Sequence, residues 1–380
     1  MLRRVTLGLA VCAAAWAQPA PTREGGYWVR RVTGQEELPA SARLRITSRG
    51  PVTVSGAQQK TMDYTFTMRV KADTAEEATR LFREFGVHFA RRNDEATLTM
   101  RRGAGSGELN VKVSQSLPEV AIVSTEGEIA VRHLDGAVDA ATGGGAIRAD
   151  RIGGAFTART GGGEISLDNM GGAAHCQTGG GRITAGMVAG DVRFETGGGD
   201  IIARHVGGIA RVSTGGGSIR IERAGHEVIA ATGGGTIDVG EAGGTVTTRN
   251  SGGPVQVGSA SGVRCENGAG GIRLQNVSGS LRVSTAFGNI VAQLLPGRPL
   301  ADSSLTTANG DITVLIPSNV GVMIQAHNAS ADSIRRIVSE FPNLEVRIAG
   351  SQVVAEGPVN GGGPVLRISG TGGTIFIKRR

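Results

Sequence analysis

Residues 142–235 read TGGGAIRADRIGGAFTAR, TGGGEISLDNMGGAAHCQ, TGGGRITAGMVAGDVRFE, TGGGDIIARHVGGIARVS, TGGGSIRIERAGHEVIAA and TGGG. The tetrapeptide Thr-Gly-Gly-Gly opens at Thr142, Thr160, Thr178, Thr196, Thr214 and Thr232, always 18 residues apart. Looser copies precede it at Ser124-Thr125-Glu126-Gly127. Others follow at Asn250-Ser251-Gly252-Gly253, Asn267-Gly268-Ala269-Gly270, Thr285-Ala286-Phe287-Gly288 and Thr307-Ala308-Asn309-Gly310, giving eleven units with one spacing of 17 and a last of 22. A fixed period of this size marks a solenoid, in which each unit buries its apolar face only against its neighbours.

With each Thr, or its equivalent, as position zero, position five is Ile129, Ile147, Ile165, Ile183, Ile201, Ile219, Ile237, Val255, Ile272, Ile290 and Ile312, an unbroken β-branched column. Position seven is apolar as well (Val131, Ala149, Leu167, Ala185, Ala203, Ile221), and so are positions fourteen and sixteen, as in Val192 and Phe194. Alternation of this kind puts each pair on one face of a strand. Each turn therefore holds two short strands, with glycines at its corners where the chain needs a positive φ or a close backbone approach. The predicted fold class is all-β: a single-stranded parallel β-solenoid with 18-residue rungs, a small α+β N-terminal cap and a degenerate C-terminal cap. Rungs about 4.8 Å apart make the stack roughly 50 Å long, and parallel crossovers predict a right-handed coil. A left-handed hexapeptide helix also uses 18 residues per turn, but one inward residue in six does not match the paired columns.

The predicted organisation is a signal peptide at 1–17, a leader at 18–42, the α+β cap at 43–120, the repeats at 121–316 and closing rungs with an inserted cap at 317–380. Met1-Leu2-Arg3-Arg4 is a basic n-region, Val5 to Ala15 an apolar h-region and Ala15-Trp16-Ala17 a small-x-small cleavage site, which predicts export and a mature chain from Gln18. Leu9-Ala10-Val11-Cys12 is a poor lipoprotein box, so lipidation of Cys12 is the lesser alternative, as is a twin-arginine route through Arg3-Arg4. No later stretch reaches the ~18 apolar residues of a membrane helix.

Composition agrees with an exported repeat protein: Gly is 62 of 380 residues and aromatics are 3%, since a narrow interior has room for Ile, Val and Ala but little for rings. Lys and Arg number 40 against 33 acids, and loss of Arg3 and Arg4 leaves 38 − 33 = +5, a mild excess that argues against nucleic acid as a partner in a chain without aromatic platforms. Cys176 and Cys265 share one inward column five rungs apart, roughly 24 Å. A disulfide needs Cα atoms within about 7 Å, so both are expected as free, buried thiols.

Before the repeats, Leu44 to Thr47, Val52 to Val54 and Tyr64 to Val70 alternate as strands. Thr74-Ala75-Glu76-Glu77 is a capping box opening a helix with Ala78, Leu81, Phe82 and Phe85 on its apolar face and Gly86 as its C-terminal cap. After the repeats, residues 332–338 are expected as a short helix, and Thr374-Ile375-Phe376-Ile377 restores the strand signature.

Units such as Ser124-Thr125-Glu126-Gly127-Glu128-Ile129-Ala130-Val131, the capped helix, the step at Pro118 and the closing Gly-Gly-Thr374-Ile375-Phe376-Ile377 resemble the bacterial putative-adhesin family, an exported β-solenoid domain of unknown function. The resemblance spans most of 43–380 and implies a β-solenoid exported to the envelope, with "adhesin" a label of analogy and not a demonstrated activity. It carries no catalytic residues over.

Chemistry has to be sought on outward positions. Calcium-binding β-rolls also build 18-residue turns, from two nonapeptides with an Asp in each, whereas Asp200 and Asp311 stand alone at the corners. The six histidines occupy scattered phases and form no ligand cluster, so no metal or cofactor is expected. Arg132, Asp150 and Asp168 share position eight on three successive rungs. Paired carboxylates can do acid/base work, but uniform 18-residue rungs supply no loops to wall a cleft, and a solvated charge ladder is the simpler account. The candidate ligand face is instead Arg193 and Arg211, with Arg264 and Arg282, stacked as like charges on neighbouring rungs. An anionic polysaccharide or an envelope protein would bridge such pairs, unless Glu195 and Glu266 already neutralise them. Adhesin-like binding is the first functional expectation, a structural or signalling scaffold of the envelope the second and a polysaccharide-active β-helix enzyme the third.

Overall fold

The computed structural model describes residues 20–101, 103, 105–329 and 336–380. The signal peptide and Cys12 lie outside the described residues. The chain is a parallel β-solenoid of about eleven turns with one short helix near its N-terminus. Position five begins each repeat strand of one sheet, here sheet A, with Ile147 opposite Ile165, Ile183 opposite Ile201 and Ile201 opposite Ile219. Positions fourteen to eighteen form sheet B, with Val192 opposite Ala210 and Phe194 opposite Val212. The position-five residues are at most 1% exposed. Like therefore packs on like along the axis, and apolar burial continues without interruption from rung to rung.

The corner chemistry explains the motif. Each Thr is buried, donates its hydroxyl to the third glycine of the preceding rung and accepts from the N–H of its own third glycine. For Thr196 the distances are 2.9 Å to the Gly181 oxygen and 3.2 Å from the Gly199 nitrogen. Asn250 makes the same two bonds with its amide, 2.9 Å to the Gly235 oxygen and 3.3 Å from the Gly253 nitrogen, which is why Asn can stand for Thr. The third glycine is required by close approach, because a Cβ on Gly199 would lie 2.1 Å from the Gly181 oxygen. The middle glycine is not required: a Cβ on Gly198 meets nothing within 4 Å. None of the Thr-Gly-Gly-Gly glycines has a left-handed φ, so of the two reasons expected for glycine at this corner, only close approach operates there. Positive φ enters at the later corners, at Gly270, Gly288 and Gly310.

Acidic corner residues clamp one rung to the next. The Ile209 N–H donates to Asp191 (2.8 Å), Ser218 N–H to Asp200 (2.9 Å) and Thr374 N–H to Asp311 (2.8 Å).

The N-terminal segment continues both sheets. Its elements are β1 (Thr22–Glu24), β2 (Tyr27–Glu37), β3 (Arg43–Ser48), β4 (Val52–Ala57), β5 (Thr61–Val70), α1 (Ala75–Glu84), β6 (Gly86–Arg92), β7 (Glu95–Arg101), β8 (Ser106–Ser114) and β9 (Glu119–Ser124). In sheet A, β4 lies between the Ile129–Leu134 strand and β8, and β5 and β2 follow antiparallel. In sheet B, β3 stacks on β9, β7 on β3 and β6 antiparallel on β7. Residues 27–37, expected within a loosely held leader, thus form a strand paired with β5 from Trp28 to Glu37. Alternation in Trp28 to Val32 is weak, and tertiary contacts stabilise it: β5 on one side, β1 through Trp28 and Val29, and the Trp28 indole N–H donating to the Ala72 carbonyl at 3.0 Å. Thr74 caps α1 by accepting from Glu77 N–H at 3.2 Å. The helix ends at Phe85 in an extended conformation, so Gly86 starts β6 and is not a left-handed cap. The helix buries Ala78 and Phe82, with the Arg30 guanidinium 4.9 Å over the Phe82 ring.

At the C-terminal end, Ile375 lies between Ile312 and Ile337 in sheet A. Of the segment expected as a helix, residues 332–335 lie outside the described residues, and Ile337–Ser339 is a strand because Ile337 serves the position-five column. In sheet B the Ser303–Asn309 strand is followed by Val365–Gly370, then Val322–Asn328, then the antiparallel pair Gln352–Val359 and Glu345–Ala349. Cys176 and Cys265 are free and buried. Burial pushes the Cys265 thiol up to about 11 and the Cys176 thiol higher still.

Candidate ligand face

Sheet B shows solvent a flat face built by alternation. Val192 and Phe194 point inward, so Arg193 between them points out, and the same holds for Arg211, Arg264 and Arg282. Register sets Arg193 directly opposite Arg211 and Arg264 directly opposite Arg282. The two pairs differ electrostatically. Arg193 is held by Glu195, with Nε and Nη2 at 2.8 and 2.6 Å from Oε1. Glu266 instead bonds Arg249 at 3.4 Å and leaves Arg264 unneutralised. Among the described residues Arg211, Arg264 and Arg282 make no ion pair.

Tertiary structure adds a residue to the second pair. Ser304 is opposite Arg282, and Arg367 is opposite Ser304 on the next rung. Arg264, Arg282, Ser304 and Arg367 therefore occupy one outward column on four consecutive rungs. Arg367 is exposed, has no ion pair among the described residues and is followed by neutral Gln325. The alternation Leu366-Arg367-Ile368 matches Leu281-Arg282-Val283 and marks Arg367 as outward. Sequence distance hides which rung it joins.

Two unit charges 5 Å apart in water repel by about 0.8 kcal/mol, less at physiological salt. An anion lying between Arg264 and Arg282 would reverse that sign, and Arg367, two rungs or about 10 Å further on, would take a second anionic group of the same ligand. Guanidinium forks suit carboxylate and sulfate groups through paired hydrogen bonds.

The other outward groups are arranged differently. Arg132 is opposite Asp150, but Asp150 is engaged by Arg151 at 3.4 Å and by the Asn169 amide at 3.2 Å, while Asp168 is exposed on the outer face of the sheet. This is a charge ladder on a flat sheet. Sheet A also carries a shallow polar notch of about 500 Å3, where Gly240 and Gly258 interrupt a column occupied by Arg204, Glu222 and Gln275. Two troughs of about 570 and 650 Å3 run beside the bare glycine corners, next to Arg159 and Arg249. Among the described residues no three His, Cys, Asp or Glu side chains are grouped to hold a metal, and no helix is long and apolar enough to cross a membrane.

No family model and no curated protein matches the chain. Among solved structures, the chain is similar to a putative cell adhesion protein from Clostridium sporogenes ATCC 15579, with 8% identity and a TM-score of 0.19 over 92% of this chain and 100% of that one. A putative adhesin from Bacteroides fragilis NCTC 9343 shows 10% identity and a TM-score of 0.21 over 92% and 97% of the two chains. A putative lipid binding protein from Parabacteroides distasonis ATCC 8503 shows 10% identity and a TM-score of 0.21 over 91% and 96%. The chain is a β-solenoid similar, at low identity, to proteins named putative adhesins.

Proposed function

We propose that this chain is an exported, non-enzymatic binding solenoid with an adhesin-like role, and that its ligand is an anionic polysaccharide or an acidic surface of an envelope partner gripped on sheet B. The observation that carries this is the column of Arg264, Arg282 and Arg367, three exposed guanidinium groups in one register without a carboxylate in ion-pair reach among the described residues. Like charges stacked along a strand face destabilise the free protein slightly, so their arrangement favours a bound anion. The flat, loop-free face supports binding of an extended ligand along the axis. The apolar h-region of residues 5–15 supports export.

The test is retention of the purified protein on immobilised polygalacturonate, with dextran as the neutral control, at low and at high salt. The triple reversal Arg264→Glu, Arg282→Glu and Arg367→Glu is expected to abolish salt-sensitive retention. Arg132→Glu, Arg204→Glu and Arg273→Glu change the net charge equally on sheet A and are expected to weaken it only modestly. Equal loss in both triple variants, or no salt-sensitive binding by the wild type, would overturn the assignment.

A further inference from the structure

Sheet B ends on the strand Glu345–Ala349, which pairs antiparallel with Gln352–Val359 on one side and with no strand among the described residues on the other. All five of its residues are exposed. Val346 and Ile348, 44% and 71% exposed, keep large apolar side chains in solvent. An open edge offers unpaired N–H and C=O groups, which proteins ordinarily blunt with proline, a bulge or a run of charge. The opposite end of the same sheet is blunted in that way: its edge strand β6 closes with Arg91-Arg92, and Arg91 donates to the Glu37 carbonyl at 3.1 Å. Glu-Val-Arg-Ile-Ala has neither proline nor a run of like charge.

We propose that this edge pairs with the same edge of a second copy of the chain, antiparallel about a two-fold axis, joining two solenoids tail to tail. The occupant follows from charge complementarity. A two-fold axis normal to the sheet keeps core-facing side chains on one side, so residues directly opposite each other must belong to the same face. Centring the axis on Glu345 sets that carboxylate against its own copy, and centring it on Arg347 does the same for the guanidinium. Centring it on Ile348 forms no ion pair and runs into the turn at Gly350, where φ is 65°. Centring it on Val346 places Glu345 opposite the partner's Arg347 twice over, Val346 opposite Val346 and Ile348 opposite Leu344. Opposite charges directly across a strand pair are favourable and like charges unfavourable, so one register is selected and the exposed apolar pair is covered by it. A five-residue edge buries less than the ~800 Å2 per partner of a standard interface, which makes the dimer concentration-dependent.

Sedimentation equilibrium of the purified protein across a hundredfold concentration range tests this. The wild type is expected to pass from monomer to dimer, and Arg347→Glu or Glu345→Arg to weaken dimerisation about tenfold or more by replacing two attractive oppositions with two repulsive ones. The combined Glu345→Arg, Arg347→Glu variant restores the pairing with its polarity reversed and is expected to return to within about threefold of wild type. Circular dichroism melting of all three variants checks that the fold is retained. A wild type that stays monomeric, single variants that dimerise like wild type, or a combined variant no better than the singles overturns the proposal.

Discussion

Gly198 and Gly199 are neighbours in one corner, identical in the sequence, and the structure assigns their alanine substitutions opposite signs. A Cβ on Gly199 would lie 2.1 Å from the Gly181 oxygen, 2.5 Å from its carbon and 2.9 Å from the Arg182 nitrogen. All three are backbone atoms of the rung below, itself fixed by strands on both sheets, so rungs must separate locally. Overpacking of this kind costs about 1–3 kcal/mol. Separation also stretches the bonds through Gly199, from its N–H to Thr196 at 3.2 Å and from Thr214 to its oxygen at 2.8 Å, each contributing about 1 kcal/mol. Gly199→Ala is therefore expected to destabilise by about 2–5 kcal/mol. Gly198 has nothing within 4 Å of a Cβ and no left-handed φ, so Gly198→Ala mainly restricts the unfolded chain and is expected to stabilise by about 0.4–1 kcal/mol. Urea unfolding followed by far-ultraviolet circular dichroism reads the contrast as a midpoint that falls for one variant and holds or rises for the other. Equal shifts, or a larger loss at Gly198, would falsify the steric account of the corner.

Thr196→Val removes both corner bonds of its hydroxyl and is expected to cost about 1–3 kcal/mol, whereas Thr196→Asn should lose much less because Asn250 already performs that role; thermal melting of the two variants checks it. Ile201→Asp buries an unpaired carboxylate in a fully enclosed position, with a loss of several kcal/mol. Asp200→Ala is expected to cost only about 1 kcal/mol, chiefly the lost Ser218 N–H bond, and similar melting shifts for these two would remove the inward assignment of the Ile column. Reductant should leave the melting temperature unchanged, and titration of the denatured chain starting at Gln18 should find two thiols, since Cys176 and Cys265 are free. Burial holds the Cys265 thiol at about 11 against 9.0 when free. The unfolded state therefore loses its proton first, and this contribution to stability is complete below about pH 9 and lost as pH rises toward 11. Urea midpoints at pH 8 and 10.5 should differ less in Cys265→Ala, and an unchanged difference would show that another group carries the effect.

Periodicity alone determined the solenoid, because an 18-residue repeat with inward pairs at fixed phases has one way to bury its apolar columns: rung upon rung. It also placed Cys176 far from Cys265 and turned Arg193, Arg211, Arg264 and Arg282 to solvent, since alternation along a strand is a local property. Where the period fails, local signals gave less. The strand Tyr27–Glu37 exists through pairing with Thr61–Val70, and the strand Ile337–Ser339 continues a column set by Ile312 and Ile375. The two arginine pairs look alike in the sequence, and only side-chain geometry shows Glu195 holding Arg193 while Glu266 turns to Arg249. Arg367 reaches the column of Arg282 by a chain excursion of 85 residues. Alternation fixes which way a side chain faces, but the choice of neighbouring rung depends on backbone hydrogen bonds between distant segments, and these exist only once the stack has closed.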